Sequence, residues 1–475
     1  MRESTTASPA GSGDDGPTDP SSPTIGLDRR SVAAERTGGP SDAFGNDGGF
    51  VAYPPAAMPR PPLVRPVSLL LAGLALLLFA QQQPPAAGRP LPVVLSAPAP
   101  ATKPARAPAG WIRDLDAVLE GHNVSVAVGL DGTWLYRHGA RSPRPPASNE
   151  KLLLSMALLD RTPLFTRIRT QLFATGTRSG HRLRGTLWIV GHGDPEVDGR
   201  TMQRLARAVR EAGIRRVRGR VIGVTTGFRR DWWAPGWRDY FPSDYIPIPT
   251  ALTFENNEDR YGRNIRDPER RAAASLTKRL RAIGVRVSGD PGAAPAPDRS
   301  RLLATVTSDE LEAMMRRMNR TSRNFHAEVL GKWLGQRVVG GPGSIAKGAR
   351  AIERFADRHG AEVVAYDSSG LSYWNRVRPE DLVQLLWFAD GEPWAEELRW
   401  SLPTGGQGTL EGRLGNVRIR AKTGTLEDVS ALSGWVWLEK PGTWGQFSIM
   451  SQGMSKSASI RIEDRVVQIV TNRAG

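Results

Sequence analysis

The passage that most constrains this chain is the one where Pro145-Pro146 gives way to Ala147-Ser148-Asn149-Glu150-Lys151 and then to Leu152-Leu153-Leu154-Ser155-Met156-Ala157-Leu158-Leu159. Two prolines stop whatever precedes, and the leucines are too dense for a surface helix. The spacing therefore predicts a buried helix whose first turn carries Ser148 and, three residues on, Lys151. Residues at i and i+3 share a helix face, so a hydroxyl and an amine become neighbours there. A lysine buried among leucines tends to lose its proton, and a neutral amine beside a serine can activate it as a nucleophile. Ser-x-x-Lys also occurs at Ser275/Lys278 and Ser344/Lys347, so a serine cap followed by a solvated lysine is the simpler account of any single occurrence. What distinguishes Ser148 is its company further along.

The remainder of the 475 residues sorts into segments. Residues 1–62 are rich in Gly, Pro, Ser, Thr and Asp without apolar periodicity and read as a disordered cytoplasmic leader. Val67 to Ala80 is an uncharged, mostly Leu/Ala run. It is short of the ~20 residues of a full span, yet it follows a leader too long for an ordinary signal peptide. Residues 63–82 are read as a signal anchor, with cleavage after Ala80 as the alternative, and Arg60 and Arg65 ahead of the apolar run favour a cytoplasmic N-terminus. The expected location is the cell envelope, outside the cytoplasm and held to the membrane by this segment. Residues 83–110, rich in Pro and Ala, form a stiff tether.

Net charge is +16, and because residues 1–50 are acidic the rest is more basic still, a surface that attracts anions. Cysteine is absent, which excludes disulfides, thiol nucleophiles and cysteine-based zinc sites. The six histidines show no metal-ligand spacing, so neither metal nor cofactor is expected.

From residue 111 onward the pattern predicts a helix over 111–120, strands over Val124–Leu130 and Trp134–Arg137, and then the Ser148 helix. Single strands are expected over Leu183–Val190 and Val217–Val224, with helices over Thr201–Ala212 and Pro268–Ile283. A Pro/Ala-rich stretch from Asp290 to Arg301 marks a boundary. Beyond it the spacing predicts helix over 308–335, strands over Val429–Leu438 and Phe447–Ser451, and a closing helix over Ile460–Val470.

Three short signatures stand in order: Ser148-x-x-Lys151, Ser322-Arg323-Asn324 and Lys422-Thr423-Gly424. Around them lie Asp367-Ser368-Ser369-Gly370-Leu371-Ser372, Asn375-Arg376-Val377, Ser401-Leu402-Pro403, Gly408-Thr409-Leu410 and Gly191-His192-Gly193-Asp194-Pro195. This set resembles the D-alanyl-D-alanine carboxypeptidase/endopeptidase family of low-molecular-mass class C penicillin-binding proteins, the S13 peptidases, over roughly residues 111–475. His192 and Ser368 stand where that family usually has glycine, and Arg323 fills the variable centre of Ser-x-Asn. The resemblance implies an α/β (α+β) fold: a penicillin-binding, serine β-lactamase-like transpeptidase domain, with an antiparallel sheet flanked by helices, and an inserted smaller domain. We expect the catalytic domain at 111–172 and 303–475 and the insert at 173–302.

The chemistry suits acyl transfer. Ser148 would attack a peptide carbonyl, and Lys151 would take its proton, its pKa depressed by burial and by a second cation, for which Lys422 is the candidate. Lys422 also matches a substrate that ends in a carboxylate, and Gly424 would keep the strand surface bare for substrate. By family resemblance Ser322 relays a proton to the leaving D-alanine, Asn324 orients Lys151 and the substrate amide, and Thr423 and Thr425 hold the terminal carboxylate. The backbone N–H groups of Ser148 and Thr425 would form the oxyanion hole.

The expected activity is a serine-type D-Ala-D-Ala carboxypeptidase on peptidoglycan stem peptides, with endopeptidase action left open and β-lactam antibiotics as inhibitors. A serine β-lactamase of the same fold and a catalytically silent wall-binding scaffold are the rivals. A nucleic-acid partner explains only the charge.

Overall fold

The computed structural model describes residues 109–473. The leader (1–62), the signal anchor (63–82) and all but the last two residues of the tether (83–110) lie outside the described residues. Among the described residues no helix is long and apolar enough to cross a membrane.

The central sheet joins the two ends of the catalytic part of the chain. Its five strands run in the order Ile419–Thr425, Val429–Leu438, Thr443–Gln452, Val124–Leu130 and Thr133–His138. Every neighbouring pair is antiparallel, and Val126 pairs with Ile449 across the join. Side chains on a strand alternate faces, and here both faces are covered. Ala431, Trp435 and Met450 pack with the leucines of the helix Glu150–Arg161. Leu432, Val436 and Ile449 point the other way, onto Leu115, Val466 and Ile469 of the first and last helices, Gly110–Leu119 and Lys456–Arg473. Burial on both sides is why Val429–Leu438 reads as a nearly continuous apolar run.

Helix Glu150–Arg161 is buried from Glu150 through Leu159, as the leucine density requires. Ser148 sits just ahead of it in a 3₁₀ turn, Ala147–Asn149. The turn is pinned from behind: Asn149 donates to Ser433 Oγ at 2.7 Å, and Ser433 donates to Ser448 at 2.9 Å.

Between the segments that supply this sheet lies an insert with sheets of its own. Strands Arg167–Ala174 and Arg301–Glu310 pair antiparallel and lead into and out of it. They belong to a five-stranded sheet with Leu187–Gly191, Val221–Val224 and Gly292–Ala294. A second, four-stranded sheet is built from Thr177–Ser179, Arg182–Arg184, Arg216–Val217 and Arg286–Val287. The helices Gly199–Glu211 and Pro268–Ala282 complete the insert.

Three sequence expectations are corrected here. Leu183–Val190 is two strands in different sheets, and so is Val217–Val224. Both breaks fall at glycines that touch: a side chain on Gly219 would meet the Gly185 carbonyl oxygen at 2.1 Å, so only bare backbone lets the chain cross between sheets there. The third concerns residues 308–335, which are not one helix. A strand runs to Glu310, a helix covers Leu311–Arg320, and a second covers Asn324–Val339. The break falls on Thr321-Ser322-Arg323, with Ser322 in the left-handed region at φ 53°. Methionines 314, 315 and 318 are core.

Candidate active site

The turn Ala147–Asn149, the helix break at Ser322 and the sheet-edge strand Ile419–Thr425 meet at one cleft of about 780 Å³. Ser148, Ser322, Asn324, Thr423 and Thr425 line it. Lys151 and Lys422 lie behind that lining, fully buried.

The Lys151 ammonium donates to Ser148 Oγ at 3.0 Å, to Asn324 Oδ1 at 2.8 Å and, by a short contact, to the Ser369 carbonyl. A second amine–hydroxyl pair stands opposite: Lys422 donates to Ser322 Oγ at 3.0 Å and to the Thr423 carbonyl at 2.8 Å. Ser322 can reach this partner because the left-handed residue ends one helix and turns its hydroxyl into the cleft; an unbroken helix would have continued past it. Such a conformation in a non-glycine residue costs about 1–3 kcal/mol and persists only where the surroundings over-determine it.

The electrostatics differ from the sequence expectation in one respect. Burial pushes the Lys151 amine down to about 8, as expected, but its other influences are the carboxyls of Asp367, Glu328 and Glu150, which pull it back up. Proximity of two cations acts on the other partner: Lys422 is lowered well below the usual lysine range, first by burial and then by Lys151. Burial likewise pushes Glu328 up to about 8 and Glu150 well above the ordinary carboxylate range. Behind Ser148 thus stands a buried cluster of acids, of which the quoted motifs contained only Asp367.

That cluster also fixes backbone. Glu328 Oε1 accepts from the Ser368 and Ser369 amides at 2.8 and 2.7 Å. Asp367 accepts from the Gly370 and Ser372 amides, from Asn375 and from the Trp237 indole. This presents the Ser369 carbonyl to Lys151 and presses the loop against the Ser148 turn. Gly370, at φ +83°, sits so close that a side chain there would meet the Ala147 carbonyl oxygen at 1.8 Å.

Gly424 has a related part. Its missing side chain would fall 2.7 Å from the Pro146 carbonyl oxygen and 3.1 Å from Ala147 Cβ. The bare position lets the strand approach the Ser148 turn rather than opening its surface to the cleft.

Thr409 and Lys456 are two of several cleft-lining groups without a sequence expectation. Thr423 donates to Thr409 Oγ1 at 2.7 Å, and Gly408-Thr409-Leu410 had been noted only as a flanking motif. Lys456, from the start of the last helix, donates to Thr425 Oγ1 at 2.7 Å and to Ser430 Oγ at 2.9 Å. No short motif includes it. Its place on the cleft wall is set by the packing of that helix on the sheet. The two other Ser-x-x-Lys matches lie elsewhere: Ser344 caps the helix Ile345–Arg358 by accepting from the Lys347 amide at 3.2 Å, and Ser275 accepts from Arg279 at 3.1 Å.

Known proteins resemble this chain in sequence and in fold. The model of the D-Ala-D-Ala carboxypeptidase 3 (S13) family matches residues 113–261 and 251–473. A D-alanyl-D-alanine carboxypeptidase of Actinomadura sp. (strain R39) is 27% identical, over 76% of this chain and 84% of that protein. Carboxypeptidase DacB of Mycolicibacterium smegmatis is 29% identical, over 80% and 87%. In fold, the crystal structure of penicillin binding protein 4 (dacB) from Haemophilus influenzae superposes with a TM-score of 0.67 at 19% identity, covering 76% of this chain and 99% of that one.

Proposed function

We infer the function from one premise: this chain belongs to the D-Ala-D-Ala carboxypeptidase 3 (S13) family. It is a serine-type D-Ala-D-Ala carboxypeptidase that acts on peptidoglycan and binds β-lactams. The observation that carries the assignment of roles is the pair of amine–hydroxyl contacts, Lys151 to Ser148 and Lys422 to Ser322, facing one cleft.

In our reading Ser148 Oγ attacks the carbonyl of the penultimate D-alanine while Lys151 accepts its proton, which a burial-lowered pKa permits. The backbone N–H groups of Ser148 and Thr425 receive the developing oxyanion, each such donor contributing about 2.7–4 kcal/mol. Ser322, held by Lys422, relays the proton that Lys151 has taken up to the departing D-alanine amine, and the acyl-enzyme ester forms as the C–N bond breaks. Water then attacks that ester and frees Ser148. Asn324 keeps Lys151 aimed at Ser148. Thr423 and Thr425 hold the terminal carboxylate, with Lys422 and Lys456 as the cations beside them. A buried Lys422 that sheds its proton easily in the empty site gains it back when a substrate carboxylate arrives.

An exported enzyme held by an uncleaved anchor at residues 63–82 is part of the same reading. The apolar run Val67–Ala80 and the Pro/Ala-rich tether after it support that placement. Resistance of the full chain to alkaline extraction from membranes, lost on deleting residues 63–82, tests it; full release of the intact chain would rule it out.

The activity is tested by labelling with a fluorescent penicillin and by mass spectrometry of products from defined muropeptides, which separates loss of a terminal D-alanine from cleavage of a cross-link. The wild type should label and release D-alanine, and Ser148→Ala should do neither. Undiminished labelling of Ser148→Ala would overturn the assignment, and rapid turnover of nitrocefin would favour a β-lactamase instead.

A further inference from the structure

The insert holds a second concave site far in character from the catalytic cleft. It is a cavity of about 680 Å³ lined by Arg182, Arg184, Arg210, Arg215, Arg216 and Arg286, with Ser179, His181 and Gly284. No carboxylate lines it. Among the described residues none of the six guanidinium groups has an ion pair or a side-chain hydrogen bond, in contrast to insert arginines such as Arg230, paired with Glu269, and Arg263, paired with Asp259.

Their placement is a consequence of register. Arg182 pairs laterally with Arg216, and Arg216 with Arg286, on three parallel strands. The next residues, Leu183, Val217 and Val287, are buried on the opposite face, so period-two alternation sends all three arginines outward together. Adjacent strands lie about 4.8 Å apart, and like charges directly opposite one another on a sheet are destabilising. Three arginines in one lateral row, with Arg182 and Arg216 half-buried, is an arrangement that a fold without a use for it would relieve with a single acid. A bound anion removes the repulsion, and a planar guanidinium fork matches the oxygens of phosphate and carboxylate.

We propose that this arginine-lined cleft of the insert is a binding site for an anionic chain of the cell wall, engaged through its phosphate or carboxylate groups, which holds the enzyme on its polymeric substrate. The proposal rests on the wall-directed activity above. Chemistry favours a polymer over the other polyanions. The cavity has no aliphatic, Phe, Tyr or Trp lining residue, whereas a membrane-docking face adds apolar side chains, and a single-stranded nucleic-acid groove adds several aromatic stacking platforms. A slot in the fold also suits a chain better than a flat lipid surface does.

The test uses the full chain and two variants: the triple substitution Arg182→Gln/Arg216→Gln/Arg286→Gln, and a control, Arg260→Gln/Arg270→Gln/Arg299→Gln, which removes the same charge from exposed positions outside the cleft. Each is mixed with purified wall sacculi at graded salt and the bound fraction is read by sedimentation. Penicillin labelling is measured in parallel. We expect the cleft variant to lose about tenfold in wall affinity, the size expected for three half-exposed ion contacts, while its labelling rate stays that of the wild type. The control should bind as the wild type does. Stripping the walls of phosphate with hydrofluoric acid, or amidating their carboxyls, should abolish the difference in one arm and identifies the group recognised. Equal binding by the cleft variant and the wild type, or equal loss in both variants, would overturn the proposal. So would cleft-dependent binding to anionic phospholipid vesicles with none to walls. Loss of labelling in all three proteins would instead indict the enzyme assignment.

Discussion

Lys456 and Thr425, 31 residues apart in the chain, meet at 2.7 Å on the wall of the catalytic cleft. The ammonium also reaches Ser430, whose hydroxyl donates to the buried Glu463 at 2.6 Å, and Glu463 in turn pairs with Arg413. The last helix therefore delivers a braced cation to the strand that carries Lys422.

If that cation serves the substrate carboxylate, Lys456→Met should lower kcat/KM for a peptide ending in a free carboxylate while leaving the corresponding amide-capped peptide unaffected. A charged hydrogen bond of about 1.5–3 kcal/mol corresponds to roughly a tenfold to hundredfold loss. The ratio of the two kcat/KM values is the measurement, and an unchanged ratio would assign Lys456 to structure alone.

The pH profile follows from Lys151. Only the neutral amine can accept the Ser148 proton, and burial brings its pKa down to about 8. The second-order rate constant for penicillin acylation should therefore rise as pH increases through about 8 and level off above it. A rate already flat from about pH 6 upward would show that another group is the base.

Gly370→Ala probes the contact between the Asp367–Ser372 loop and the nucleophile turn. The new methyl would overlap the Ala147 carbonyl, and the backbone at φ +83° disfavours any side chain. The backbone alone costs about 1–3 kcal/mol, with the overlap added. Urea unfolding should show the loss of stability, and penicillin labelling of the folded fraction should slow as Ser148 is displaced. A variant with native midpoint and native labelling would contradict the packing described.

Ser344→Ala separates the two kinds of Ser-x-x-Lys. Ser344 caps a helix, so its loss should cost about 1 kcal/mol of stability with no change in acylation rate. Ser148→Ala should behave in the opposite way, abolishing acylation with little effect on the unfolding midpoint. A shared outcome for the two variants would mean that the motif, rather than its surroundings, sets the chemistry.

Several features of this protein were written locally. A helix with ten consecutive buried residues announces itself by leucine density, and Val429–Leu438 by its apolar run, because burial of a whole element leaves a mark in a window of ten residues. The residues around Ser148, Asn324 and Lys422 are equally local, and their order along the chain was enough to suggest an acyl-transfer site. Other features depend on partners far away in sequence. The strands that looked continuous at Leu183–Val190 and Val217–Val224 are split because Gly185 and Gly219 pack on each other, a contact no window contains. The helix expected through Ser322 is broken there, and the hydroxyl it offers Lys422 comes from 100 residues away.

The sequence by itself determined the three signatures, their order and the buried helix that carries Lys151. Only the tertiary structure decided that Glu150, Glu328 and Asp367 stand behind Lys151, that Gly424 serves the approach of strand to turn, and that Lys456 joins the cleft. The reason is physical: propensity and periodicity act between neighbours a few residues apart, whereas the charge a lysine feels and the space a glycine must leave are set by whatever the folded chain packs against it.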